Sequence, residues 1–179
     1  MRRRWHQLQL VGIGRTVTTR KVTKVAEDAA HDVAILRFDG PSLPPLKFAN
    51  PIDVEEGQLV AFTGFPIGSV FGFFPVTHRG IVSAITPIAI PSIQQKQLDP
   101  KTIKRLRKSF NVFQLDATAY PGNSGSPLYN PEGGAVYGIV SSVFVKESKE
   151  NLLSNPSGIT YAVPISYARK LLKNIKGLK

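Results

Sequence analysis

Polar–apolar alternation and short apolar runs organise most of the chain. Gln7 to Val11 alternates, and Arg15 to Val25 is rich in Val and Thr; both patterns predict extended strand. Asp32 to Phe38 (DVAILRF) is a short apolar run of the kind a buried strand carries. Leu59 to Thr63 follows the turn-like Glu55-Glu56-Gly57. Gly80 to Ile90 is a further apolar run, in which Pro87 calls for an edge or a bend. Val112 to Asp116, Ser126 to Tyr129, Ala135 to Val145 and Ile159 to Val163 complete the strand-like set.

Asn130-Pro131-Glu132-Gly133-Gly134 has the composition of a hairpin turn, since Pro presets φ and the glycines permit positive φ. Short strands with frequent turn signals predict a β-barrel or sandwich rather than βαβ units. One helix is predicted near the C-terminus. Pro164 suits its first turn, Ile165, Ala168, Leu171, Leu172 and Ile175 share a face, and Gly177 stops it. Pro100 to Phe110 could form a second helix with Ile103, Leu106 and Phe110 on one face, or equally a solvated insertion loop.

Composition narrows the function classes. With 179 residues, the chain suits one domain or two small packed lobes. The absence of cysteine excludes disulfides, thiolate metal sites and a cysteine nucleophile. No stretch approaches the ~20 apolar residues of a membrane span, and the start, MRRRWHQLQLVGIG, lacks the apolar heart of a signal peptide. That leaves localisation open between the cytoplasm and, if sequence precedes this start, export. The net charge of +11 gathers in Arg2 to Arg4, Lys101 to Lys108 and Arg169 to Lys179. These runs are scattered and lack interleaved aromatics, so a basic surface is expected and nucleic acid is not an expected partner.

The chemistry lies in Gln114 to Val143, centred on Gly122-Asn123-Ser124-Gly125-Ser126-Pro127. A serine nucleophile needs a tight turn that exposes Oγ while backbone N–H groups converge nearby. Flanking glycines allow that turn and the approach of a substrate carbonyl. A Gly/Asn/Ser loop alone would be an ordinary turn. Here an apolar strand ending in Asp116 precedes it, and a strand, a glycine hairpin and GIVSSV follow.

In these segments the chain resembles a chymotrypsin/trypsin-like serine peptidase, closest to the HtrA/Deg branch. LDATAYPGNSGSP resembles that branch's nucleophile loop, and HDVAILRF its catalytic-aspartate strand. EGQLVAFTGFPIG, FPVTHRGIVSAI and GITYAVPISYARKLL resemble three further family segments in order and spacing, so the likeness runs from about Arg15 to the end.

The resemblance implies an all-β fold of two six-stranded antiparallel barrels, the first incomplete here, with a C-terminal helix. The first lobe is expected over residues 1–65, the second barrel over 71–163 and the helix over 164–177, all within one peptidase domain. It implies Ser124 as nucleophile, Asp32 as the acid that orients a histidine, and Gly122 and Ser124 as oxyanion-hole donors. Ser141, Ser142 and Val143 would line the substrate strand and pocket, with Thr118 and Ala119 near its floor, facing Gly158. No acid stands at these positions, so cleavage after small or medium apolar residues is expected. Polypeptide substrates are implied; no metal or other cofactor is. The oligomeric state is left open.

The triad also needs a base. The family carries it upstream of the aspartate in a T-[AN]-x-H-V-V motif, and this chain starts after that point, so N-terminal truncation is expected. Of the three histidines, His31 directly precedes Asp32. If both lie on a strand their side chains point to opposite faces, leaving His31 facing solvent. His78 stands where the family shows no catalytic role. His6, in RRRWHQL, lies 26 residues before Asp32, a short separation for this branch. The chain as written is expected to hydrolyse peptides poorly. The alternative is a non-catalytic peptide-binding homologue, and a third reading has His6 serve as base.

Overall fold

The computed structural model describes residues 6–11, 17–50, 54–66, 74–88, 110–141 and 159–175. Among them are nine strands and one helix: β1 (His6–Val11), β2 (Val17–Asp28), β3 (Val33–Phe38), β4 (Leu59–Gly64), β5 (Val76–Pro87), β6 (Asn111–Asp116), β7 (Pro127–Tyr129), β8 (Val136–Ser141), β9 (Ile159–Pro164) and α1 (Ile165–Lys173). The Pro100 to Phe110 segment, Phe110 excepted, lies outside the described residues.

Six strands close into an antiparallel barrel in the order β4-β5-β6-β9-β8-β7. The seam is the β4–β7 pairing, Ala61 opposite Tyr129 and Phe62 opposite Leu128. Its interior is filled by Val60, Phe62, Val82, Leu115, Leu128 and Ala162, all with no exposed surface. Closure leaves no free edge among these strands, as a barrel of short strands requires. Membership of β4 moves the lobe boundary: Leu59 to Gly64 was expected in the first lobe, and the pairing places it in the closed barrel.

β1, β2 and β3 form a separate antiparallel sheet in that order. Among the described residues the expected pair of barrels is therefore one closed barrel and one three-stranded sheet. β3 departs from its apolar appearance: Val33 is buried, but Leu36 is 47% exposed and Ala34 is exposed too. It is the sheet's outer strand, and an apolar run is buried only where a second layer covers it.

The hairpin is as predicted. Asn130 Oδ1 accepts the Glu132 N–H (2.8 Å), Asn130 O accepts the Gly134 N–H (2.8 Å), and Gly134 takes φ +67. α1 packs outside the barrel, where Ile165 and Ala168 meet Val33, Val136 and Val163. Pro164 is its N-cap, and it ends at Lys173 with Asn174 as C-cap, short of the Gly177 stop. The segment joining the lobes is clamped: Lys47 O and the Ala49 N–H bond to Val136, and the Arg169 guanidinium donates to Ala49 O (2.8 Å).

Candidate active site

Ser124 occupies the loop between β6 and β7. The Asn123 N–H donates to Tyr120 O (3.0 Å) and the Ser126 N–H to Asn123 O (3.1 Å), making two consecutive tight turns. The Gly125 N–H donates to Val140 O (2.8 Å) and the Val140 N–H to Ser126 O (2.9 Å), which fastens the loop to β8. Gly122 (φ +104) and Gly125 (φ +88) take backbone conformations that residues with a Cβ rarely reach. Between them Asn123 is fully buried and Ser124 is exposed. The turn thus directs the Asn123 amide inward and leaves Ser124 at the surface.

Two residues that the sequence reading did not single out shape this loop. Thr160, buried on β9, donates to Ala117 O (2.5 Å) and accepts the Ala119 N–H (3.0 Å). It sets the path of half-buried Thr118 and Ala119. Gly64, at the end of β4, lies so close that a Cβ there would stand 2.5 Å from both Asn123 Oδ1 and Ser126 Oγ. The signal for Gly64 was present in the TGFP run, where close backbone approach is one reason for a glycine.

Asp32 is not on a strand. It closes the turn between β2 and β3 with φ +53, a conformation Asp tolerates better than most residues. Its Oδ2 accepts a hydrogen bond from Ser141 Oγ at 2.7 Å. Ser141 is 3% exposed at the end of β8, and its hydroxyl is directed to Asp32. Ser142, Val143 and Gly158 lie outside the described residues.

The expectation that His31 faces solvent is corrected. With the 29–32 segment in a turn, the alternation of a strand does not apply. The imidazole Nδ1 lies 2.6 Å from Asp28 Oδ2, and the ring stacks on Tyr167 (4.0 Å) with Phe110 edge-on (4.4 Å). Burial pushes the Asp28 carboxyl up. The hydrogen bond and Coulomb attraction of His31, with the backbone N–H groups of His31 and Ala30, outweigh it and leave the pKa below its ordinary value. Burial and the Asp28 charge raise the Tyr167 phenol.

His78 points into the barrel side of the nucleophile loop. Its ring stacks on Phe62 (4.9 Å) and its Nε2 lies 3.3 Å from Asn123 Nδ2. Burial lowers its pKa. His78 meets the loop at Asn123, the residue the turn buries. His6 opens β1 opposite Val22 in the register. Among the described residues no group of three or more His, Asp or Glu could hold a metal ion.

The family model described as the trypsin-like peptidase domain matches residues 6–139 of this sequence. The chain belongs to that family. A probable periplasmic DegP-like serine endoprotease of Pseudomonas fluorescens is 33% identical to this peptidase-family chain over 156 residues, which are 87% of this chain and 27% of the relative. Its counterpart in Halomonas elongata is 31% identical with the same coverage. The chain thus spans 27% of the length of these curated relatives. Among solved structures, the HtrA-type protease AlgW with a tripeptide superposes with a TM-score of 0.65 at 24% identity, covering 96% of this chain and 48% of that one. Deg5 gives 0.63 at 23%, covering 92% and 64%. At these identities the structural likeness speaks to the fold, and it agrees with the HtrA/Deg resemblance carried by the motifs.

Proposed function

We propose that this chain is a serine endopeptidase domain in which Ser124 attacks the carbonyl carbon of a peptide bond. The observation that carries the proposal is the loop itself: an exposed Ser124 between two positive-φ glycines, with Asn123 buried beneath it. Oγ bonds to the carbonyl carbon, its proton passes to a base, and the amine departs with a proton to leave an acyl-serine that water hydrolyses. The Gly122 and Ser124 N–H groups act on the oxygen that becomes negative, where one such donor is typically worth ~2.7–4 kcal/mol. Asp32, held by Ser141, orients the base. DegP-like relatives are named endoproteases, and a polypeptide substrate follows by analogy. With no acid at Thr118 or Ala119, cleavage falls after small or medium aliphatic residues, and profiling of a peptide library tests this; a requirement for Lys or Arg would refute it.

The base is neither His31, held by Asp28 and Tyr167, nor His78, which meets the loop from its buried side. His6 is the remaining histidine. If it does not serve, these 179 residues by themselves are left with the ~10³–10⁴-fold over water that an intact oxyanion hole supplies. The engagement of both other histidines favours a second reading, a peptide-binding homologue without turnover. A fluorophosphonate probe separates the two. Slow labelling of Ser124 that disappears in Ser124→Ala is expected, and rapid labelling abolished by His6→Ala makes His6 the base. A folded chain that never labels but binds peptides establishes the binding homologue.

A further inference from the structure

The two ends of the buried Asn123 amide are unequally paired. Its backbone is fixed on both sides, N–H to Tyr120 O and O from the Ser126 N–H, and its side chain has no exposed surface. The amide Nδ2 faces His78 Nε2 at 3.3 Å, while Oδ1 is buried with no hydrogen-bond partner. A buried acceptor left unpaired costs ~1–3 kcal/mol. The amide has a second orientation in which Oδ1 faces Nε2, and the hydrogen on Nε2 decides between them. A bare Nε2 accepts from Nδ2, whereas a protonated Nε2 must donate and requires Oδ1.

We propose that His78 is a positioning residue for the nucleophile loop, holding Gly122-Asn123-Ser124 through the Asn123 amide in a geometry that depends on whether Nε2 carries a proton. This rests on the reading of Ser124 as nucleophile for its catalytic consequence, but the coupling itself is a property of the fold. Neutral His78, with its hydrogen on Nδ1, accepts from Nδ2 and gives the arrangement described above. Protonation sets donor against donor, and the amide turns so that Oδ1 takes the new N–H. The Asn123 side chain is rooted between Gly122 and Ser124, so its change of partner alters the surroundings of the amides on either side of it.

The surroundings leave His78 as the group that titrates. From β4 it meets Phe62, and from the loop Asn123 and Tyr120, whose ring lies 6.0 Å away. Tyr120 is the one other titratable group among these contacts. Arg79, next on β5, is exposed and alternates to the other face. Burial favours the neutral imidazole and sets the switch below the ordinary histidine value.

NMR of the full chain tests this without requiring turnover. Long-range nitrogen correlations should show His78 as the Nδ1–H tautomer at neutral pH, and the Gly122 and Ser124 amide signals should titrate with the His78 midpoint. In Asn123→Asp a carboxylate faces the ring, and the midpoint should rise by about one pH unit or more. His78→Phe should abolish the titration of both amides. His78→Gln, which restores an acceptor, should keep the neutral-pH amide shifts but not their pH dependence. Gly122 and Ser124 signals that ignore the His78 midpoint, or a midpoint unmoved in Asn123→Asp, would overturn the proposal. Fluorophosphonate labelling reads Ser124 separately, so loss of the coupling and failure of the nucleophile reading are distinguishable.

Discussion

Ser141 Oγ donates to Asp32 Oδ2 at 2.7 Å, across 109 residues of sequence. This single bond ties the β2–β3 turn of the three-stranded sheet to the last residue of β8 in the closed barrel. Asp32 itself is exposed, and a carboxylate on a turn in the αL region would otherwise be free to reorient.

Ser141→Ala should therefore release Asp32. Hydrogen bonds to charged groups contribute ~1.5–3 kcal/mol where desolvated, and an exposed partner lowers that to about 1 kcal/mol. Urea unfolding should show a lower midpoint at unchanged m value. A variant as stable as the parent would mean that solvent replaces the bond without loss.

Gly64→Ala should be costly. The new Cβ would need to displace Asn123 Oδ1 and Ser126 Oγ, both 2.5 Å away, from a tight loop. Overpacking of this kind costs ~1–3 kcal/mol. Gly133→Ala is the control, since a Cβ there meets nothing nearer than 3.9 Å. Equal melting temperatures for the two variants would contradict the close approach of β4 to the nucleophile loop.

Asp28 gives a pH signature. Its folded pKa lies below the ordinary 3.8, so its ionised form stabilises the fold above that pH, and the contribution is lost as pH falls through the folded value. Asp28→Asn should be less stable than the parent at pH 6, and the gap should close as pH drops below 3.8. Chemical denaturation across that range measures it. A gap independent of pH would show that the carboxylate charge is not what His31 recognises.

Hydrogen exchange should divide the molecule. β8 is an interior strand of a closed barrel, with five of its six residues buried, whereas β3 forms an outer edge with Leu36 exposed. Slow exchange in Val136 to Ser141 beside fast exchange in Val33 to Phe38 is expected. The exposed Leu36, Leu43 and Leu46 make self-association at higher concentration the accompanying expectation. Uniform protection in a monomer would mean that the sheet is covered.

What the sequence determined by itself is what depends on local chemistry. Alternation and β-branched runs marked the strands, the Asn130 to Gly134 composition specified its turn, and the glycines around Ser124 announced a loop only they could form. The 3.6-residue spacing of Ile165, Ala168 and Leu171 fixed the buried face of α1. Tertiary structure decided whatever depended on distant partners. DVAILRF looks buried, but burial is set by the layer above a strand, and among the described residues α1 covers β3 at Val33 while Leu36 stays exposed. Leu59 to Gly64 carries no mark of the barrel it joins, because strand pairing is chosen by the complementary edges of β5 and β7. His31 and His78 are one residue type with two unlike partners, Asp28 and Asn123, brought near by a turn in one case and by barrel closure in the other. A side chain's type states what it can bond to; only the folded backbone states what lies within 3 Å of it.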